Sequence, residues 1–177
     1  ISGVTGEHDQ RFEHHQVWSW GPSGFKFELR HVLRQKLTSR LLYRIIMLTV
    51  SLVLLPFILI ERLLKNVESS WSWQYSAVHL GLKLARQKPF NLIYSTAGPF
   101  AAHLAAQKLK KKLAVPWLAE IHDPLVLPGT TPQTRRQRAY ADVERRICDD
   151  ADIAIWFTDQ AMKSALQRHP QLGHRGR

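Results

Sequence analysis

From residue 92 onward, short apolar runs alternate with longer amphipathic ones. Leu92 to Ser95, Leu118 to Ile121 (with Trp117 at its head) and Ile153 to Phe157 are brief, apolar and flanked by turn residues, which predicts strands. Phe100 to Leu113, Thr134 to Cys148 and Asp159 to Arg168 are longer and mixed in polarity, which predicts helices. Ala97-Gly98-Pro99 separates the first strand from its helix, and Pro116 stands at the entry to the second strand. Strand and helix in turn predict an α/β fold. The expected form is a Rossmann-like, three-layer domain with a parallel sheet, helices on both faces and the strands' carboxyl ends on one edge.

The first 91 residues follow a different pattern. Ile1 to Thr5 has the composition of a short strand. Phe12 to Phe27 reads as a loop with Gly21-Pro22-Ser23-Gly24 as its turn. Between residues 29 and 67, Leu29, Leu33, Leu37 and Leu41 recur every four positions. So do Lys26, Arg30 and Arg34, and Lys36, Arg40 and Arg44, as on an amphipathic basic helix. Ile45 to Ile60 then carries no charge, and Glu61 and Arg62 close the run. This stretch is shorter than a bilayer span and contains Pro56, which is expected to bend or end its helix. Residues 26–64 are therefore expected to form a helical hairpin or helix pair lying on a membrane without crossing it; a buried core helix is the plainer alternative. Residues 68–91 predict a linker and a helix capped by Ser69, Ser70 or Ser72 and ended by Pro89.

Composition narrows the class. With 45% apolar residues the chain has material for a core. Its single cysteine, Cys148, rules out an internal disulfide and suits a reducing cytoplasm. No Met opens the chain and Ile1 to Gln16 is too polar for a secretory signal, so the sequence reads as a piece of something longer. The net charge of +11 favours anionic partners. The spacings of zinc fingers, RNA-binding aromatics and helix-turn-helix units do not occur, so anionic lipid or phosphate-bearing substrates are expected and nucleic acid is not.

Two segments lie where an α/β sheet places its ligands, just beyond strand ends. Tyr94 to Pro99 offers Ser95, Thr96 and a close backbone approach at Gly98, leading into a helix N-terminus suited to a hydroxyl or phosphate. A well-made turn without a ligand is the alternative. Glu120-Ile121-His122-Asp123-Pro124 sets an acid and a possible base on a turn stiffened by proline; Asp123 as a simple turn cap is its alternative. Asp150-Ala151-Asp152 spells a metal–nucleotide triplet but sits between a helix and a strand, where a turn role is expected. His8, Asp9, Glu13, His14 and His15 are dense in ligand types without a recognised spacing, so no metal site is expected. Lys108, Lys110, Lys111 and Lys112 complement a helix C-terminus or attract anionic lipid.

Taken in order, Asn91 to Pro99, His103-Leu104-Ala105, Val115 to Pro124, and Glu144 followed by Ala151-Asp152-Ile153-Ala154-Ile155 and Thr158 resemble the N-terminal domain of family-4-type glycosyltransferases. The resemblance covers roughly the last hundred residues. It departs at His122, where the family usually has Arg, and a first strand–loop–helix unit and the C-terminal donor domain are expected to lie outside the sequence. It implies the acceptor-side half of a GT-B fold, residues 1–177, with 29–67 as a membrane-facing helical insertion. It further implies a hexosyltransferase-type enzyme moving a sugar from a nucleotide sugar to a glycan or lipid-linked acceptor in cell-envelope synthesis, without a metal or other cofactor. This portion alone is expected to be inactive.

On that resemblance His122 and Asp123 are the expected catalytic residues, and Ser95, Thr96, Gly98 and Thr158 bind substrate. Arg30, Arg34, Arg40 and Arg44 meet an anionic membrane at the inner face of the cell membrane. A non-catalytic Rossmann-like binding module, a GT-B sugar-nucleotide epimerase or phosphorylase, and an integral membrane protein are the rivals.

Overall fold

The computed structural model describes residues 13–65, 70–96 and 100–177. The expectations for Ile1 to Thr5, His8, Asp9, Ser69 and Gly98 fall outside them. The chain is a mixed α/β structure in which helices predominate around one three-stranded parallel sheet.

The strands are β1 (Ile93–Thr96), β2 (Trp117–Ile121) and β3 (Ile153–Trp156), in that spatial order. Ile93 pairs with Trp117, Ser95 with Ala119, Ala119 with Ala154 and Ile121 with Trp156. Helix α4 (Phe100–Leu113) joins β1 to β2, and α5 (Arg135–Asp150) joins β2 to β3. Helix α6 (Asp159–Arg168) and a 3-10 helix (Pro170–Arg175) follow. Beyond them Gly176 bridges Ala154 in parallel, and the Arg177 carbonyl accepts from the Trp156 N–H at 2.9 Å, so a backbone segment covers the outer edge of β3.

The core lies on one side of the sheet. Ile93, Trp117, Ala119, Ile121, Ala154 and Trp156 share one strand parity and pack with Phe100, Ala106, Ile147, Ala165 and Leu172. Burying each large aliphatic of this set contributes about 1.5–3 kcal/mol. The opposite parity, Tyr94, Thr96, Leu118, Glu120, Ile153 and Ile155, contributes nothing to that core. The expected second helical layer is thus not found among the described residues. Two right-handed crossovers that advance in the same direction put both connecting helices on the same face, and a second layer requires a reversal of strand order that β1-β2-β3 does not contain.

Among the described residues three helices precede the sheet: α1 (Pro22–Lys36), α2 (Arg40–Leu64) and α3 (Trp73–Gln87). Gly21-Pro22 opens α1 instead of making a turn, with Gly21 as N-cap and Pro22 at the first helical position, where its missing N–H costs nothing. The basic four-residue series does not stay on one helix. The chain turns extended between α1 and α2, and the Ser39 hydroxyl caps α2 by accepting from Leu42 N–H at 3.3 Å, so Arg30 and Arg34 belong to α1 and Arg40 and Arg44 to α2.

Helix α2 runs through Pro56 without ending. The roughly 3 kcal/mol that an internal proline costs is outvoted by 25 residues of otherwise continuous helix. Thr49 and Ser51 return their hydroxyls to the carbonyls of Ile45 and Met47, which keeps both hydroxyls bonded within the helix. By length and composition α2 is long and apolar enough to cross a membrane, against the expectation from the sixteen-residue run, and only 6% of its most apolar window is buried. Among the described residues α2 is therefore not a buried core helix.

Glu61 fastens the hairpin to the rest. Its buried carboxylate accepts from the Ser23 N–H at 2.8 Å, at the positive end of α1, and from the Trp71 indole at 2.5 Å. A Cβ at Gly21 would stand 2.7 Å from Glu61 Oε1, so glycine is required there for close approach. Ser72 is the N-cap of α3, but its hydroxyl binds Gly21 N–H at 2.7 Å and Ser19 at 2.7 Å and does not cap its own helix. Helix α3 lies along α4, with Gly81 against Leu109 and Lys108 bonded to Gln74 at 2.7 Å.

Candidate functional site at the carboxyl edge of the sheet

Parallel pairing brings the ends of β1 and β2 side by side, with Thr96 opposite Glu120. Thr96 Oγ1 lies 2.9 Å from His122 Nε2, and the His122 ring stacks on Phe157 at 4.2 Å between centroids. Glu120 Oε2 approaches the same imidazole at 3.5 Å and accepts a hydrogen bond from the Tyr94 phenol. That hydrogen bond, helped by Thr96 and His122, holds the Glu120 carboxyl below its ordinary range, and it pushes the Tyr94 phenol up. A carboxylate, an imidazole, a hydroxyl and a phenol are thus linked on the open face of the sheet. The imidazole there stands within hydrogen-bond reach of a hydroxyl, the geometry that general acid–base chemistry requires.

Asp123 turns away from this group. With Pro124, Leu125, Thr134, Arg136, Gln137 and Tyr140 it lines a hollow of about 500 Å³ at the N-terminus of α5. A capping box closes that terminus: the Thr134 hydroxyl accepts from Gln137 N–H, and the Gln137 side chain accepts from Thr134 N–H. His122 and Asp123 therefore share one edge, but His122 joins the group on the open face of the sheet and Asp123 the hollow beside α5. The cause is strand alternation carried into the turn: successive side chains leave the backbone on opposite sides.

The other expected residues separate. Ser95 is buried against the helices, where its hydroxyl accepts from the Trp117 indole at 2.8 Å and lies 2.9 Å from His103 Nδ1. Its place is a core network instead of the open edge. Thr158 is exposed and caps α6 through Ala161 N–H at 3.3 Å. Asp150 and Asp152 serve as clamps. Asp152 accepts from Trp117 N–H at 2.7 Å and Lys110 at 2.6 Å, while Asp150 pairs with Lys111 at 2.7 Å and binds Gln107. These contacts also absorb two of the four clustered lysines, and a third, Lys108, lies 4.2 Å from the centroid of the Tyr75 ring. Burial resists ionisation of both aspartates, yet the lysine partners and hydrogen bonds outweigh it and keep both carboxyls below the ordinary value. Glu13 and His15 pair with each other at 3.5 Å.

Tyr94, Glu120 and Phe157 were absent from the expected site. The only available signal was parity: once Thr96 and Glu120 are placed in register, Tyr94 follows on the same face. Phe157 follows from the pairing of Ile121 with Trp156, which sets the residue after each strand side by side. Compared with protein-family models and with curated proteins, the sequence finds no match.

Proposed function

We propose that the chain is the acceptor-side domain of a GT-B, family-4-type glycosyltransferase that works at the inner, cytoplasmic surface of a membrane. The observation that carries this is the meeting of Thr96 and His122 at 2.9 Å. Two of the stretches that carry the resemblance, Asn91 to Pro99 and Val115 to Pro124, contain β1 and β2, adjacent parallel strands whose ends lie at the edge where α/β sheets bind ligands.

In this proposal an acceptor hydroxyl, from a glycan or lipid-linked sugar, lies against His122 with Thr96 positioning it, and Asp123 meets the same acceptor from the neighbouring hollow beside α5. The nucleotide sugar is carried by a second α/β domain. The departing diphosphate is stabilised by helix ends and cationic side chains without a metal or other cofactor. Helices α1 and α2 hold the domain in the membrane interface, close to a lipid-linked acceptor.

The test uses the gene product with whatever sequence continues it, a panel of nucleotide sugars and an extract of membrane lipids, read by release of nucleoside diphosphate. Asp123→Ala and His122→Ala are each expected to lower kcat/KM by roughly a hundredfold while the melting temperature stays within a few degrees of wild type. Full activity in Asp123→Ala would remove that residue from the site. Release of nucleotide without an acceptor would favour the epimerase alternative, and no turnover with any donor would leave a binding module.

A further inference from the structure

Ser23, Lys26, Phe27 and Arg30 follow one another at helical spacing and share one face of α1; Leu52, Leu55, Leu59 and Arg62 do the same on α2. Where the two faces meet they leave a groove of about 510 Å³, within the roughly 300–1,000 Å³ range of small-molecule sites. Its wall is apolar, from Phe27, Leu52, Leu55 and Leu59. Its rim is cationic, from Lys26, Arg30, Arg62 and Lys65. None of these four cations has a carboxylate partner among the described residues. The one acid lining the groove, Glu61, is already committed to Ser23 and Trp71. Lys65 stands 5.1 Å from the centroid of the Trp71 ring at the same rim.

We propose that this groove seats one anionic phospholipid of the bilayer on which the hairpin lies. The phosphate sits among Lys26, Arg30, Arg62 and Lys65, and an acyl chain runs along Phe27, Leu52, Leu55 and Leu59. Four cations without a carboxylate partner among the described residues, next to an apolar wall, match a molecule that is anionic at one end and hydrocarbon at the other. A free phosphate would leave the leucines wet, and an acidic peptide would set polar backbone against them. The groove is also continuous with the exposed apolar surface of α2, at Leu48, Leu52, Leu55, Leu59 and Leu63, so a lipid reaches it without leaving the hydrocarbon. The site rests on the interfacial placement of the hairpin and is independent of sugar transfer.

The experiment is flotation of the full chain with vesicles of phosphatidylcholine alone and with vesicles containing about one third phosphatidylglycerol. A phosphatidylglycerol carrying a diazirine in its acyl chain maps the contact. Two charge-matched variants are compared: Lys26→Gln/Arg30→Gln/Arg62→Gln/Lys65→Gln in the groove, and Arg34→Gln/Lys36→Gln/Arg40→Gln/Arg44→Gln outside it. The groove variant is expected to lose at least about tenfold more affinity for the anionic vesicles than the second variant, and cross-links are expected on Phe27, Leu52, Leu55 or Leu59. Leu55→Trp fills the groove and keeps every charge, so it is expected to cut cross-linking even if the fourfold variant fails to fold. Equal losses in the two charge variants, cross-links confined to Val53 and Ile60, or an undiminished yield in Leu55→Trp would overturn the site. Binding to both vesicle types alike would overturn the groove alone; binding to neither would overturn the interfacial hairpin with it. Neither result bears on nucleotide release.

Discussion

Glu144 ties three parts of the structure together, and its removal is expected to cost more than that of any exposed charge. Its carboxylate is buried on α5 and receives a two-pronged bond from Arg168 at the end of α6, Nε to Oε1 at 2.8 Å and Nη2 to Oε2 at 3.1 Å. His169 Nε2 lies 3.3 Å from the same Oε1. Arg168 also donates to Ser164 and to the carbonyl of Val126 in the loop after β2. In Glu144→Ala the guanidinium keeps its place but loses its counter-charge. Breaking a buried pair from one side costs about 3–5 kcal/mol. The Arg168 side chain retains 24% exposure and regains some hydration, which places the loss near the bottom of that range.

A loss of about 3 kcal/mol in a chain of this length lowers the melting temperature by roughly 6–12 °C. Thermal and urea unfolding followed by circular dichroism measure it, and a double-mutant cycle with Arg168→Ala isolates the pair. A coupling of about 2 kcal/mol or more is expected. Glu144→Leu/Arg168→Met, which removes both charges and keeps the volume, is expected to recover most of the loss. If Glu144→Ala melts within two or so degrees of wild type, or the two single losses simply add, the pair is not a buried electrostatic tie and the reasoning fails.

Glu61→Ala is expected to free the N-terminus of α1, at a cost of about 1–3 kcal/mol, and hydrogen exchange should quicken in α1 while β1–β3 stay protected. Cys148 is buried, and burial, followed by the charges of Glu144 and Asp149, pushes its thiol up to about 12. Disulfide reagents at pH 8 should therefore label it only at the rate of unfolding. Asp152 titrates below its ordinary value in the folded chain, so its contribution is present above the unfolded carboxylate pKa and is lost as pH falls through the lower folded one. Asp152→Asn should consequently lower stability near neutrality and flatten the acid limb of the stability curve below about pH 4.

The three strands are legible in the sequence to within a residue at each end, because each is a short apolar run held between turn residues and no helix of that length would bury itself. The start of α1 is not, since Gly-Pro-Ser-Gly fits a turn as well as an N-cap and first helical position, and only the contact of Gly21 with Glu61 and Ser72 selects the second. The break before α2 is hidden for a related reason: leucines at every fourth residue continue across Leu37 and Leu41 whether or not the backbone does. At the site, Thr96 and His122 follow from position after a strand. Tyr94 and Glu120 require the register, a tertiary fact that sets which residues stand opposite. The groove between α1 and α2 is the least legible feature, because its cations come from two helices and meet only when those helices pack antiparallel.

In the proposed membrane setting, Lys26 and Arg30 also decide how α2 would meet a bilayer. At 25 residues α2 measures about 37 Å, enough to cross. Yet α1 is packed along it, and Arg30 shares the groove with Ser51 and Leu52, near the middle of α2. A crossing hairpin would set Arg30 near the bilayer centre and Lys26 and Arg34 about a turn to either side. Each such charge costs roughly 2.5–3.5 kcal/mol even on the lenient insertion scale, so three approach 10 kcal/mol. A flat hairpin avoids that cost: cations at headgroup depth gain about 1 kcal/mol each from anionic lipid, while the outward leucines of α2 enter the acyl layer. Helix α2 crosses only if α1 leaves it, which means giving up the Glu61 tie to Ser23 and exposing the apolar face now held against α1. If the chain meets a membrane as proposed, the same cations that flank the apolar face of α2 therefore favour a hairpin in the plane of the bilayer over a span.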